Sequence, residues 1–214
     1  MSFVEISFDL LQSFAENCEL FVFTLLFSLP LGLIISIGSM SKIKIIKYIT
    51  KAFVWVIRGT PLMLQLFVVF YVPGLVFGVP MKSRMSAALI AFVINYAAYF
   101  SEIYRGGIES MPIGQYEAAK VLGYSKAQTF FKIILPQVIK RVLPPVTNET
   151  ITLVKDTSLA FVLAYEEMFT VAKQIAAAQT NIMPLFIAGV FYFVFNAVVA
   201  FVMEAIEKKL SYYR

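Results

Sequence analysis

The stretch Glu117–Pro136, EAAKVLGYSKAQTFFKIILP, lies between apolar segments that are each long enough to cross a bilayer. Charged side chains interrupt it at Glu117, Lys120, Lys126 and Lys132. A charged residue in the middle of a membrane helix costs roughly 2.5–3.5 kcal/mol on insertion scales, so this stretch is too charged to span lipid. The pattern predicts a segment in water, held between membrane spans.

The same stretch is patterned for two short helices. Glu117–Leu122 favours a helix that Gly123 can end in the left-handed conformation, and Ser125 can cap a second helix. The second helix would place apolar side chains largely on one side before Pro136 stops it. These side chains are Ala127, Phe130, Phe131, Ile134 and Leu135. Two short helices with an exposed apolar face predict a docking surface.

The composition of the whole chain indicates an integral membrane protein. Of its 214 residues, 60% are hydrophobic and 14% charged, and the mean hydropathy is +0.81. Soluble domains are roughly half apolar and a quarter charged. One cysteine, Cys18, and no histidine exclude an intrachain disulfide framework and a Cys/His metal site. The net charge of +5 is spread between apolar runs, which favours membrane orientation over nucleic-acid binding.

The apolar runs predict an all-α membrane protein with five transmembrane helices in a single domain, 1–214. The expected spans cover about 20–38, 60–79, 85–104, 146–165 and 183–203. Ahead of the first span, residues 1–19 predict either a short helix on the outer surface or an unstructured lead-in. Between the last two spans, the alanine-rich residues 166–181 predict an outer helix that lies across the bundle.

Proline and glycine mark several expected helix ends. Thr60 predicts the N-cap of the second span, with Pro61 in the first helical turn. Pro73-Gly74 predicts a break near the far end of that span. Pro144-Pro145 predicts an irregular start to the fourth span.

The distribution of Lys and Arg predicts an N-terminus outside and a C-terminus inside. If the segment after the first span is cytoplasmic, the outside segments hold only Lys82, Arg84 and Lys173, and Lys155 lies in the membrane. All other basic residues, including Arg214, then lie inside, as the positive-inside rule requires. The same orientation places Glu117–Pro136 in the cytoplasm.

Polar residues in the third and fourth spans are the candidates for a substrate path. The candidate residues are Asn95, Tyr99, Glu102, Thr150, Asp156 and Ser158. Polar groups in a membrane helix face the bundle interior or a wet cavity. An alternative is structural pairing, of Glu102 with Arg105 and of Asp156 with Lys155 of a neighbouring subunit. Gln65, an amide inside the second span, is favoured as an interhelical hydrogen bond over a substrate contact.

The chain has no signature of enzyme chemistry. It has no GxxxxGK[ST] phosphate loop, no GxSxG nucleophile elbow and no histidine. We therefore expect that it is not an enzyme and holds no cofactor of its own.

The spacing of Glu117-Ala118-Ala119, Gly123, Ile133 and Leu135-Pro136 resembles the EAA loop of ABC-importer permeases. Three further segments resemble motifs of the polar amino-acid uptake subfamily, and all occur in family order. They are RGTPL at 58–62, YFSEIYRGG at 99–107 and VKDTSL at 154–159.

The resemblance implies a type I ABC-importer permease fold with cytoplasmic coupling helices, in a bacterial or archaeal cytoplasmic membrane. It implies two cytoplasmic ABC ATPase subunits that bind ATP and Mg²⁺, a second permease subunit, same or homologous, and an extracytoplasmic amino-acid-binding protein. The substrate would be a polar amino acid that crosses the lipid bilayer by alternating access. Two alternatives from other classes are an ion-gradient-driven secondary transporter and a membrane scaffold protein.

Within the EAA loop, the resemblance places the contact with the ATPase at the seven motif residues. Glu117 suits an ion pair with the partner or a capping role alone. Ala118 and Ala119 are small enough to fit a cleft, and Gly123 lets a partner backbone approach closely. Phe130 and Phe131 suit either the partner contact or packing within the permease.

Overall fold

The computed structural model describes residues 2–210; Met1 and residues 211–214, which include Arg214, lie outside the described part. The described chain is helical and contains no strand, which confirms the all-α prediction there. Its α-helices are α1 (Phe3–Ser39), α2 (Lys44–Gly59), α3 (Leu62–Phe77), α4 (Arg84–Glu109), α5 (Ile113–Val121), α6 (Lys126–Gln128), α7 (Leu135–Asp156), α8 (Met168–Gln179) and α9 (Met183–Leu210). A π-helical segment, Thr129–Ile134, precedes α7, and a 3₁₀ segment, Thr157–Leu163, follows it.

The first helix begins much earlier than predicted. A capping box starts α1: the Ser2 side chain accepts from the Glu5 N–H, and the Glu5 carboxylate accepts from the Ser2 N–H at 2.7 Å. Ile6 and Leu10 are buried against α8 and α9. The prediction of a separate surface helix or lead-in over 1–19 is therefore wrong for its described part, because residues 3–19 extend the first helix and pack against the bundle.

The second predicted span corresponds to α3, which forms a bent pair with the helix before it. The basic connector after α1 is itself helical as α2, and α3 leaves it at an angle of 108°. Thr60 caps the end of α2 and Pro61 is the N-cap of α3, so the predicted N-cap at Thr60 is wrong. Pro73 stays inside α3, which ends at Phe77 with Gly78 as its C-cap, where φ is +68°. The predicted break at Pro73-Gly74 is also wrong, because a glycine in the left-handed conformation ends the helix one turn later.

The helices that are long and apolar enough to span a membrane are α1, α4 and α9, and the α2–α3 pair gives a fourth candidate. The fourth predicted span differs most from the structure. Its helix, α7, starts at Leu135, runs through Pro144 and Pro145 without a break, and ends at Asp156. The predicted irregular start is therefore wrong. The count of five spans remains a prediction.

Close packing of α1 against α4 forms the centre of the fold. A Cβ on Gly32 would lie 2.9 Å from the Phe100 Cβ and 3.0 Å from the Ala97 carbonyl oxygen. Small residues such as Ala91 and Ala97 line the buried face of α4. Small side chains let membrane helices approach closely and gain van der Waals contact. This pair fixes the position of α4, which carries three of the predicted path residues.

The segment Glu117–Pro136 matches its prediction at its turn and differs at its end. Gly123 follows α5 with φ +78°, and Ser125 caps α6 in a capping box with Gln128. The predicted stop at Pro136 is wrong, since the helical path continues from Lys126 through the π-helical segment into α7. Pro136 lies in the first turn of α7, and the helical path continues through it although its missing N–H removes one backbone donor.

Candidate functional site

A cavity of about 480 Å³ lies at the α2–α3 elbow, against α4 and α7. Its lining combines the residues of the elbow with polar and charged side chains of α2, α4 and α7. The lining residues are Arg58, Gly59, Thr60, Pro61, Leu62, Asn95, Tyr96, Tyr99, Glu149, Thr152 and Asp156. We call this space the elbow cavity.

Gln65 holds the elbow in shape. Its Nε2 donates to the Ile57 carbonyl at 2.8 Å and to the Thr60 hydroxyl at 2.9 Å, on the other side of the bend. Asn95 Nδ2 on α4 donates to Gln65 Oε1 at 3.0 Å. The prediction of an interhelical hydrogen bond for Gln65 is confirmed. Asn95 therefore reaches the cavity as part of this bonded set.

Charges of both signs line the elbow cavity. Glu149 and Asp156 lie on the same face of α7, seven residues apart. The Tyr96 hydroxyl donates to Asp156 Oδ2 at 2.8 Å. The Arg58 guanidinium also lines the cavity and lies 5.0 Å from the centre of the Tyr99 ring, in cation–π range. The cavity can therefore offer partners to an ammonium group and to a carboxylate.

A second, adjoining space of about 670 Å³ is lined by Lys51, Arg58, Glu102 and Arg105, among others. Arg105 Nη2 lies 2.6 Å from Glu102 Oε2, and Arg58 Nη1 lies 3.6 Å from the same oxygen. The predicted i,i+3 pairing of Glu102 is present. Arg58 lines both spaces and so connects them.

The structure brings together three of the six predicted path residues, Asn95, Tyr99 and Asp156, in the elbow cavity. Glu102 lines the adjoining space. The remaining two bond to their own helical turns: the Thr150 hydroxyl donates to the Val146 carbonyl at 2.8 Å, and Ser158 donates to Lys155 at 2.7 Å. Neither hydroxyl lines the cavity.

Sequence reasoning did not select four of the residues that line the cavity: Arg58, Tyr96, Glu149 and Thr152. Glu149 and Thr152 belong to the polar fourth span. A spacing of seven residues places Glu149 on the same helical face as Asp156, and this signal identifies Glu149 from the sequence. Arg58 was assigned to a connector because the helix that carries it was not predicted. Tyr96 is 2% exposed and gave no polar signal beyond its hydroxyl.

The EAA-loop residues are divided between an inner and an outer face. Glu117, Ala118, Gly123 and Pro136 are exposed. Ala119 is 1% exposed and packs inward. Ile133 and Leu135 are half-buried. Their spacing thus serves the packing of the loop as well as its outer surface.

The outer face carries large apolar side chains that have no cover in the described chain. Val121 is 88% exposed, Leu122 72% and Phe131 64%. Phe130 is half-buried and packs in the cluster of Met111, Ile134, Val138 and Val142. The two phenylalanines are therefore distinct: Phe130 belongs to the internal packing of the chain, and Phe131 to the outer face. We call Val121, Leu122 and Phe131 the apolar outer face.

Curated relatives cover nearly the whole chain. The L-cystine transport system permease protein TcyB of Bacillus subtilis (strain 168) is 37% identical over 195 residues, which are 90% of this chain and 82% of that protein. The arginine transport system permease protein ArtQ of the same organism is 34% identical over 208 residues, 94% of this chain and 92% of that protein.

Solved structures share the fold. A crystal structure of an amino acid ABC transporter with histidines matches with a TM-score of 0.89 at 29% identity, over 96% of both chains. A chain of the MetNI methionine ABC transporter in an inward-facing conformation matches with a TM-score of 0.75 at 16% identity, which supports the fold alone. The profile of the binding-protein-dependent transport system inner membrane component matches residues 28–212. The chain therefore belongs to this family of inner membrane transport components.

Proposed function

We propose that this protein is the transmembrane subunit of an ATP-driven importer of polar amino acids, and that the elbow cavity binds the substrate. The observation that carries the proposal is the convergence of Glu149 and Asp156 with Arg58 around one cavity. An amino acid carries an ammonium and a carboxylate, and both need partners inside the membrane. Its relatives are named as permeases of L-cystine and arginine transport systems, which supports amino acids as the substrate class.

The charge balance of the cavity favours a substrate with a second positive group. Two carboxylates, from Glu149 and Asp156, face one guanidinium, from Arg58, which also lies 3.6 Å from Glu102. The α-ammonium and a side-chain cation can each meet a carboxylate. Arg58 and the Asn95 amide can receive the α-carboxylate. We therefore propose a basic amino acid such as L-arginine.

The energy for transport would come from a partner. The exposed part of the EAA loop, with the apolar outer face beside it, suits a cleft on a cytoplasmic ATPase. In our proposal two such ATPase subunits bind ATP and Mg²⁺, and this chain performs no hydrolysis. A second permease, same or homologous, and an extracytoplasmic amino-acid-binding protein complete the importer.

Motion would connect the two sites through a continuous helical path. The segment Lys126–Asp156 begins beside the apolar outer face of the EAA loop. It ends at Asp156, one of the two carboxylates that line the elbow cavity. Closure of the ATPases on the loop can therefore displace Asp156 without an intervening hinge loop. We propose alternating access by five spans with the N-terminus outside, as the basic residues favour.

Uptake of radiolabelled L-arginine into proteoliposomes tests the proposal. The vesicles contain this chain with the second permease and the ATPase, the amino-acid-binding protein is added outside, and L-glutamine and L-cystine serve as competitors. We expect uptake that requires ATP, with Asp156→Asn raising the half-saturating concentration. Glu19→Gln makes the same change at an exposed position of α1 outside the cavity, and we expect it to behave like the wild type. Uptake driven by an ion gradient without nucleotide would contradict the proposal and favour a secondary transporter.

A further inference from the structure

A buried carboxylate outside the elbow cavity is the centre of a second polar cluster. Glu167 is 0% exposed and is the N-cap of α8. Its carboxylate accepts from the Phe169 N–H at 2.8 Å and from the Thr170 N–H at 2.7 Å. The Thr170 hydroxyl donates to it as well, at 2.8 Å. Burial of a carboxylate is costly unless its lone pairs are filled, and these three donors fill part of them.

Asn17 brings α1 into this cluster. Its Nδ2 lies 3.0 Å from Glu167 Oε2, 3.1 Å from the Thr157 hydroxyl and 2.8 Å from the Tyr192 hydroxyl. Its Oδ1 accepts from the Met168 N–H at 3.0 Å. One fully buried amide therefore joins α1, the 3₁₀ segment, α8 and α9. We call Asn17, Thr157, Glu167 and Tyr192 the Asn17 network.

The network reaches the elbow cavity through one residue. Thr157 follows Asp156 directly, at the point where α7 ends and the 3₁₀ segment begins. Its hydroxyl accepts from Asn17 and donates to the Val154 carbonyl at 2.9 Å. On the other side of Asp156, the Tyr96 hydroxyl holds the carboxylate itself. Asp156 is thus fixed at its side chain by α4 and at its backbone by the Asn17 network.

The far end of the 3₁₀ segment is held as well. Ala164 ends this segment with φ +51°, a conformation that residues other than glycine rarely adopt. Arg84 Nη1 donates to the Ala164 carbonyl at 2.9 Å. Because unfavourable backbone conformations persist only where the surroundings hold them, the segment after Asp156 is fixed at both ends.

We propose that Asn17 and Glu167 are positioning residues for Asp156, and that they act through Thr157. This inference rests on the proposed function of the elbow cavity. The network touches no cavity wall, so it affects substrate only by fixing where α7 ends. Stability alone does not require such a cluster, because apolar residues of similar volume often stabilise a core as well as buried polar groups do.

The decisive comparison is Thr157→Val against Thr157→Ser. Valine keeps the volume and removes the hydroxyl, and Asn17 keeps its partners Glu167 and Tyr192. The cluster should therefore stay folded while its link to Asp156 is lost. We expect Thr157→Val to raise the half-saturating L-arginine concentration by roughly twofold to tenfold, the range for loss of a hydrogen bond between two neutral groups. Its maximal uptake rate should change little, and Thr157→Ser should restore the wild-type value.

Thr24→Val is the matched control. Thr24 is also fully buried, and its hydroxyl has no hydrogen-bond partner within residues 2–210. The same substitution there removes no link to Asp156, so half-saturation should stay at the wild-type value. If Thr157→Val lowers the melting temperature and leaves half-saturation unchanged, the network is structural and the inference is wrong.

A second measurement does not depend on the substrate. A water-soluble carbodiimide modifies accessible carboxyl groups, and peptide mass spectrometry after labelling of the intact complex reports the rate at Asp156. We expect Thr157→Val to change this rate several-fold, and Thr157→Ser and Thr24→Val to leave it unchanged. Wild-type protein that takes up no L-arginine but shows this pattern would count against the proposed substrate and support the positioning role. Equal rates in all four proteins would overturn the positioning role.

Discussion

The hydroxyl of Tyr96 donates a 2.8 Å hydrogen bond to Oδ2 of Asp156, and this contact joins the middle of α4 to the last turn of α7. Tyr96 is buried, and its ring lies between those of Phe92 and Phe100 at centroid distances of 6.3 and 6.1 Å. A donor held in this way has a fixed position. It anchors one oxygen of a carboxylate that lines the elbow cavity.

Tyr96→Phe should therefore weaken substrate binding more than it weakens the fold. The substitution keeps the ring packing and removes the donor to Asp156. Hydrogen bonds between membrane helices average about 0.6 kcal/mol, so the loss of stability should be small. We expect the half-saturating concentration of L-arginine to rise by roughly threefold to tenfold, in line with a hydrogen bond to a charged group. Uptake into proteoliposomes measures this.

Tyr104→Phe is the control for that prediction. Tyr104 lies on the same helix, and the structure gives its hydroxyl no hydrogen bond within the described residues. Its uptake should match the wild type. An equal loss of affinity in both variants would mean that the bond to Asp156 does not affect the substrate.

The predictions from sequence succeeded where one local pattern decides the structure. Ser125 and Gly123 were assigned correctly because capping and left-handed turns depend on a few neighbouring residues. Polar residues in an apolar run had to face inward, and Asn95, Tyr99 and Asp156 do meet at one cavity. The interhelical role of Gln65 followed from the same rule.

The failures arise where tertiary packing overrides a local signal. Proline predicted helix ends at Pro73 and Pro136 and an irregular helix start at Pro144, and at each the helical path continues. A membrane helix tolerates proline because neighbouring groups re-satisfy the freed backbone. The Asn17 network could not be predicted from the sequence either, since Asn17 and Glu167 are 150 positions apart. No periodicity connects residues that meet only through the fold.

Glu102→Gln should lower the maximal rate of uptake more than it changes half-saturation. Glu102 lines the space beside the elbow cavity, where it pairs with Arg105 and lies 3.6 Å from Arg58. Its loss removes the shared partner of two guanidinium groups along the path. The ATPase should remain bound, because the EAA loop is unchanged. Initial rates over a range of L-arginine concentrations separate the two parameters.

A double-mutant cycle with Arg58→Gln checks the contact that this prediction depends on. Both side chains are partly exposed, so we expect a coupling of about 0.2–1 kcal/mol in the free energy of unfolding. Additive effects of the two substitutions, on stability and on maximal rate, would show that Arg58 and Glu102 act independently.

Phe131→Ala should weaken the complex with the ATPase and leave the permease stable. Phe131 belongs to the apolar outer face, whereas its neighbour Phe130 packs against the cluster around Ile134. Phe130→Ala should therefore do the opposite and lower the melting temperature of the isolated permease, because it opens a space in that packing. Co-purification with the ATPase and thermal unfolding of the permease alone measure the two effects. Equal loss of ATPase binding in both variants, without a change in stability, would contradict the assignment of Phe131 to the partner contact and Phe130 to internal packing.

Gly123→Val should uncouple ATP hydrolysis from uptake. A Cβ at this position meets no atom within 4 Å, so space does not oppose the substitution. The obstacle is the backbone: φ is +78°, and a β-branched residue is strongly disfavoured there. The loop would have to change its turn and move α5 relative to α6. Gly123→Asn is the matched control, because asparagine tolerates the left-handed conformation, and it should retain coupling. Normal uptake per ATP hydrolysed by Gly123→Val would show that the shape of this turn does not transmit the motion.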